Sequence, residues 1–298
     1  MEYVAINAAG AVLRGDALTG SVGTFGYVTS PNAEAIGGFD VPALGRVLRE
    51  LPAEQLVLSN EGWIHQPHVW AELLPALGIR ARVVAYVRPQ VSFLNSGWWQ
   101  WGAWSDKGFR PWLDHKLSVS LWGERLARWQ HVPAVDDVQV RLLPDDVVPD
   151  FFEHALGAHA PTSQGSGVNK GLHASILRLF QRNRELRAGP HASAIDFVLL
   201  KELDMTGTAP WVLDRESIER ILGATREDNR KLLSMLDPES AARMQADARW
   251  WDADAFSDRI VESPDPQPMS ADDLEQLSVE LTQAVARLSR SREARASS

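Results

Sequence analysis

The sequence predicts an α/β protein: a three-layer α/β/α arrangement with a mostly parallel sheet and a helical C-terminal half. Two observations predict it. Runs such as "ARVVAYV" (81–87) are apolar on consecutive positions, as expected of strands covered by helices on both faces. These runs alternate with segments of helical period, and strand–helix alternation implies a parallel sheet.

Residues 1–39 are rich in Gly, Ala, Ser and Thr without a sustained period, and read as loop with one short strand. In "DVPALGRVLREL", Asp40 can cap a helix, Pro42 suits its first turn, and Leu44, Val47, Leu48 and Leu51 share a face. "QLVLS" (Gln55–Ser59) reads as a short buried strand. "HVWAELLPAL" is helical, with Trp70, Leu73, Leu74 and Leu77 in phase, and 81–87 is the second strand. Helices are expected from Pro89 to about Ala103 and from about Trp112 to Gln130. "VQVRLL" is a third strand, and "VVPDFFEHALG" a helix closed by Gly157. After the polar loop Ala160–Gly171, helices are expected near 172–187, 192–203, 215–222 and 226–248. Residues 1–261 thus read as one α/β domain and 262–269 as a Pro-rich linker. Residues 270–298 form an amphipathic helix, opened by Ser270 and Asp273, with a disordered tail "SRSREARASS".

Composition narrows the function. With 45% apolar residues the chain can bury a sizeable core. A net charge of −9 argues against a general affinity for nucleic acid or anionic membranes, though not against a local basic pocket. Absence of cysteine excludes disulfides and thiolate metal sites and fits a cytoplasmic location. No stretch approaches the ~20 apolar residues of a membrane span. The N-terminus also lacks the basic start and apolar core of a signal peptide. A homodimer is compatible with the sequence. Tryptophan is abundant, with four residues in "WWQWGAW". Two readings stand for that cluster: a core under a helix, or a wall of indoles stacking on sugar rings.

In open α/β sheets, ligands bind beyond the carboxyl ends of the strands. Arg88 stands at such an end, and the helix that follows offers free backbone N–H groups. Ser96 returns to nearly the same helical face as the helix start. Together they could hold one phosphate, the guanidinium fork matching its oxygens. A sheet-capping arginine and a serine fitted under a neighbouring helix would share that spacing.

The segment "VVAYVRPQVSFLNSGWWQ" resembles the 3′-phosphate-binding segment of bacterial P-loop sulfotransferases, the carbohydrate and polysaccharide type. There a strand ends in arginine and a helix supplies a serine eight residues on. "LVLSNEGWI" is similar to their upstream strand ending in Ser-Ser-Glu. "RLARWQHVPAVDDVQVRLLPDDVVPDFFEHALGA" is similar to their Trp-containing helix, third strand and following helix. "GVNKGLHASILRLFQRNREL" is similar to their Asn-containing loop and late helix. Roughly Asp40 to Arg187 is covered. The resemblance implies transfer of a sulfuryl group from 3′-phosphoadenosine 5′-phosphosulfate (PAPS) to a hydroxyl of a glycan or glycolipid, with no metal. Arg88 and Ser96 would hold the 3′-phosphate, helped by Lys170 and Gly171. Glu61 would be the first candidate base, followed by His65 and then His68. For each of these, a purely structural role is the alternative.

The family's first strand leads into a loop G-x-x-[KR]-[ST]-G-[ST] whose cation neutralises the phosphosulfate. Here the candidate is "GDALTGS" (Gly15–Ser21). Gly15, Thr19, Gly20 and Ser21 fit, but Leu18 occupies the cationic position. The loop is thus degenerate, or the chain begins late relative to its relatives. A catalytically inactive glycan-binding scaffold is therefore an alternative. A nucleotide-sugar glycosyltransferase is another, because Asp252 and Asp254 have the D-x-D spacing that can bridge a divalent cation to a diphosphate. The polar helix before them makes a surface turn the expected structure there.

Overall fold

The computed structural model describes residues 1–21, 28–160 and 171–296. The chain is mixed α/β, rich in helix, with short strands. Strands β1 (Glu2–Tyr3), β2 (Ala5–Ile6) and β3 (Val12–Leu13) precede helices α1 (Gly15–Gly20), α2 (Ala33–Gly37) and α3 (Val41–Glu50). Then come β4 (Leu56–Val57), α4 (Pro67–Leu77), β5 (Ala81–Val87), α5 (Gln90–Gln100), α6 (Phe109–Leu117), α7 (Trp122–Trp129), β6 (Val135–Leu142) and α8 (Val147–Asp150). The remainder is β7 (Gly171–Leu172), α9 (Ala174–Arg182), α10 (Ala194–Glu202), β8 (Thr206–Gly207), α11 (Arg215–Leu233), α12 (Pro238–Ala246) and α13 (Ala271–Ala296).

Among the described residues the strands form four two-stranded pairs. β1–β4 and β5–β6 are parallel; β2–β3 and β7–β8 are antiparallel. The longest ladder joins β5 to β6, from Ala81↔Val135 to Val87↔Leu142. Four other expectations are corrected. Among the described residues, the first 39 carry three strands and two helices, because two-residue strands are too short to print a period. The expected helix 112–130 breaks into α6 and α7 around a 3₁₀ turn at Ser118–Ser120. Conversely, 215–233 is one helix, and the interruption comes later, where Asp237 accepts from the Ser240 N–H at 2.9 Å to cap α12. Finally, α13 continues through Ala296, since the Arg, Glu and Ala of the expected tail are strong helix formers.

The chain divides into two compact units. Unit one comprises Met1–Arg88, Val119–Ser163 and Ala224–Trp251. Its core gathers Val4, Ile6, Ile36, Leu44, Leu48, Trp70, Leu73, Leu74, Leu77 and Trp129. Asp40 caps α3 as expected, accepting from the Ala43 N–H at 3.0 Å. The buried Asp228 carboxylate receives the first N–H groups of α7, from Gly123 at 2.8 Å and Glu124 at 2.7 Å. Burial raises its pKa, and those two bonds oppose the rise. The approach requires glycine, because a Cβ at Gly123 would lie 2.5 Å from the Asp228 carbonyl oxygen.

Unit two comprises Pro89–Ser118, Gln164–Gly223 and Asp252–Ser298. Three of the four tryptophans in "WWQWGAW" are core rather than a sugar-binding wall: Trp98, Trp99 and Trp104 are 1–4% exposed, as is the neighbouring Trp112, whereas Trp101 is half-buried. Trp98 meets Trp112 edge-on, centroids 5.5 Å apart. A Cβ at Gly102 would stand 2.2 Å from the Trp98 ring, so this helix end is glycine by packing. Asn95 and Trp99 fasten a distant segment: Asn95 Oδ1 accepts from the Val212 N–H at 2.9 Å, and the Trp99 indole donates to the Pro210 carbonyl at 2.7 Å. At the start of α13, Ser270 Oγ accepts from the Asp273 N–H at 3.0 Å and donates to its carboxylate, the expected reciprocal cap.

Unit two also buries an ion pair, Arg187 to Asp196 at 2.7 Å, with the guanidinium 4.4 Å over the Trp104 ring. Burial pushes the Asp196 carboxyl up to about 6, against the attraction of Arg187. The cost of desolvating both ions outweighs part of their attraction.

Two predictions concern stability. Asp228→Ala leaves two N–H groups of α7 without an acceptor and should cost about 1–3 kcal/mol in a denaturant titration. Asp196 binds its proton more tightly folded than unfolded, where its pKa is about 3.9. Its stabilisation is therefore full below that value and lost as pH rises through about 6. Between about pH 4 and about pH 7 the parent should lose up to about 3 kcal/mol relative to Asp196→Asn, read from denaturant midpoints.

Candidate functional site

The candidate residues of unit one sit where β4 and β5 end. After β4, Asn60 turns the chain: its Oδ1 accepts from the Gly62 N–H at 2.6 Å and its Nδ2 donates to the Ser30 carbonyl at 2.7 Å. This opens a 3₁₀ turn, Glu61–His65, that starts with the exposed Glu61 and ends with the exposed His65. Pro67 begins α4, and His68 lies exposed in its first turn.

Arg88 follows directly on β5 and is half-buried. Burial lowers its pKa, while the negative charge of Glu61 supports the cation, so the two predicted residues are brought together electrostatically. An arginine remains protonated under any such shift. The Arg88 carbonyl accepts from the buried Trp122 indole at 3.0 Å. One helix face further on, the Trp129 indole donates to the Ile64 carbonyl at 3.3 Å. Thus α7 holds both the end of β5 and the 3₁₀ turn that carries Glu61.

His65 and His68 line a cleft of about 280 Å³ together with Arg125, Arg128 and His131. Ile64, Pro67, Ala71 and Val132 complete its wall. Sequence reasoning missed the last three polar residues, although "RLARWQH" spaces them at i, i+3 and i+6 across the end of α7, a legible one-face pattern.

The other candidates lie elsewhere. Ser96 belongs to unit two, on α5, and its hydroxyl donates to the Ser92 carbonyl at 3.0 Å. A serine has one O–H to give, so binding phosphate as a donor would require that bond to be exchanged. Lys170 lies outside the described residues. Gly171 is exposed in β7, paired with Gly207. The segment Gly15–Gly20 is the helix α1, not a phosphate-cradling loop. The Thr19 hydroxyl donates to the Gly15 carbonyl at 3.0 Å and that of Ser21 to Ala17 at 2.8 Å, so both serve their own helix. Asp252 and Asp254 form the expected surface turn: Asp252 Oδ1 accepts from the Asp254 N–H at 2.9 Å, and Asp254 pairs with Arg215 at 2.7 Å.

Compared with known proteins, the chain matches no family model, no curated protein and no solved structure.

Trp122→Phe keeps an aromatic ring in the core but removes the donor to Arg88. It should cost about 1 kcal/mol, measured by chemical denaturation.

Proposed function

We propose that the chain is a sulfotransferase-like protein of P-loop ancestry that grips the 3′-phosphate of PAPS through Arg88 and transfers its sulfuryl group to a hydroxyl of a glycan or glycolipid. The observation that supports this reading is Arg88 itself, a half-buried guanidinium at the carboxyl end of β5 in the longest parallel ladder, with Glu61 as its electrostatic neighbour. In an in-line transfer the acceptor oxygen bonds to sulfur as the sulfur–oxygen bond to the phosphate breaks, releasing adenosine 3′,5′-bisphosphate. The acceptor's proton passes to a base. On this reading Glu61 is that base, with His65 on the same 3₁₀ turn as its deputy. Ser96, Lys170 and Gly171 enter only through the sequence resemblance.

A second reading, a glycan-binding scaffold that has lost the transfer, is favoured by one specific observation. At α1 the position of the phosphosulfate-neutralising cation is Leu18, and the nearby hydroxyls are bonded within their own helix. Electrostatic stabilisation of the developing charge is the largest contribution to reactions of this kind. Without it, donor binding would survive poorly and turnover less.

Calorimetry with adenosine 3′,5′-bisphosphate separates the two. The enzyme reading expects binding by the parent and a loss of about ten- to a hundredfold in Arg88→Ala, the worth of a charge-assisted hydrogen bond. Absence of binding by the parent, together with binding of a glycan, favours the scaffold.

A further inference from the structure

We propose that the cleft lined by His65, His68, Arg125, Arg128 and His131 is a binding site for a small phosphate monoester, separate from the nucleotide grip assigned to Arg88. The chain carries a net charge of −9, yet this cavity is lined by two arginines and three histidines and by no aspartate or glutamate. Such local concentration of one sign in an acidic protein focuses anions.

The two walls contribute different groups. Arg125, Arg128 and His131 descend from the end of α7, whereas His65 and His68 come from the 3₁₀ turn and the start of α4. Arg125 is set in place by its Nε, which donates to the Val119 carbonyl at 2.9 Å. Burial lowers its pKa first, and the like charge of Arg128 lowers it next, with Glu124 and Asp228 opposing from outside the cleft lining. Two guanidiniums that repel each other at one wall gain from a shared counter-ion. Arg128 now answers Glu124 on its own helix, a surface pair of the kind worth little and easily exchanged.

The ligand class follows from what the walls can reach. The imidazoles of His65, His68 and His131 add N–H groups to those of the two guanidiniums around the cleft. A phosphate monoester presents three terminal oxygens to two guanidinium forks and to imidazole N–H groups. Ile64, Pro67, Ala71 and Val132 offer its carbon body an apolar surface. The cleft of about 280 Å³ has room for a body the size of one sugar ring.

The test is calorimetry on the full chain with glucose 6-phosphate, glucose, glucose 6-sulfate and inorganic phosphate. The expected result is binding of glucose 6-phosphate more tightly than the other three. The Arg128→Gln/His131→Gln double variant, both positions exposed, should weaken it about tenfold or more. Arg88→Ala should leave it unchanged, which keeps this outcome distinct from that of the nucleotide reading. If the double variant loses its fold by circular dichroism, His68→Gln on the opposite wall carries the same expectation. No heat from glucose 6-phosphate at about 10 mM, a weak affinity by the usual scale, overturns the proposal. So does equal binding of any comparison compound, or loss of binding in Arg88→Ala but not in the cleft variants.

Discussion

Unit one depends on the anchoring of α7. A buried carboxylate, Asp228, takes the first N–H groups of the helix, and two indoles at i and i+7 donate to carbonyls on separate elements, Arg88 after β5 and Ile64 in the 3₁₀ turn. Each contact satisfies a main-chain group that burial would otherwise leave unpaired, and such groups are costly to leave so. The helix thereby acts as a clamp. It fixes the end of β5 relative to the turn bearing Glu61, and it presents Arg125, Arg128 and His131 to a common cleft. The glycine at position 123 exists because that clamp closes to backbone contact.

Unit two solves a different problem, the packing of many large rings. Edge-on contacts between Trp98, Phe109 and Trp112 avoid the unfavourable face-to-face arrangement, and the smallest residue fills the space that remains, at Gly102. Two indoles of the cluster are hydrogen-bonded, that of Trp99 to the Pro210 carbonyl and that of Trp104 to the Trp99 carbonyl, each at 2.7 Å, whereas the Trp98 indole nitrogen is buried without a partner among the described residues. Asn95 closes the network by bonding both Pro210 and Val212. The stretch "FLNSGWW" is therefore first a packing device. Any ligand role of Ser96 has to be built on top of that duty.

Charge is treated unequally in the two units. Arg187 and Asp196 are buried as a pair, so neither ion recovers its full hydration and the carboxyl keeps its proton to unusually high pH. Arg88 is only half-buried, and the negative charge of the exposed Glu61 supports its cation.

The bounds of β5, the helices α3 and α4, and the caps at Asp40 and Ser270 were legible because periodicity and capping act over a few residues. The same local reading placed Arg88 at a strand end and the Asp252 turn on the surface. It failed for the two-residue strands near the N-terminus, which are held by partners such as Leu56 and Val57 rather than by their own pattern. It also took "GDALTGS" as a candidate loop, where Gly15–Gly20 is a short helix whose carbonyls accept from the Thr19 and Ser21 hydroxyls. What the sequence by itself determined is thus the longer helices and the strand β5, the acidic character, and the order of chemistry-bearing residues along the chain. Tertiary structure alone decided that Trp98, Trp99 and Trp104 are core, that Arg88 comes within the electrostatic influence of Glu61, and that two walls far apart in sequence bring five basic side chains to one cleft. Those outcomes rest on burial and on contacts between distant segments, and no local pattern encodes them.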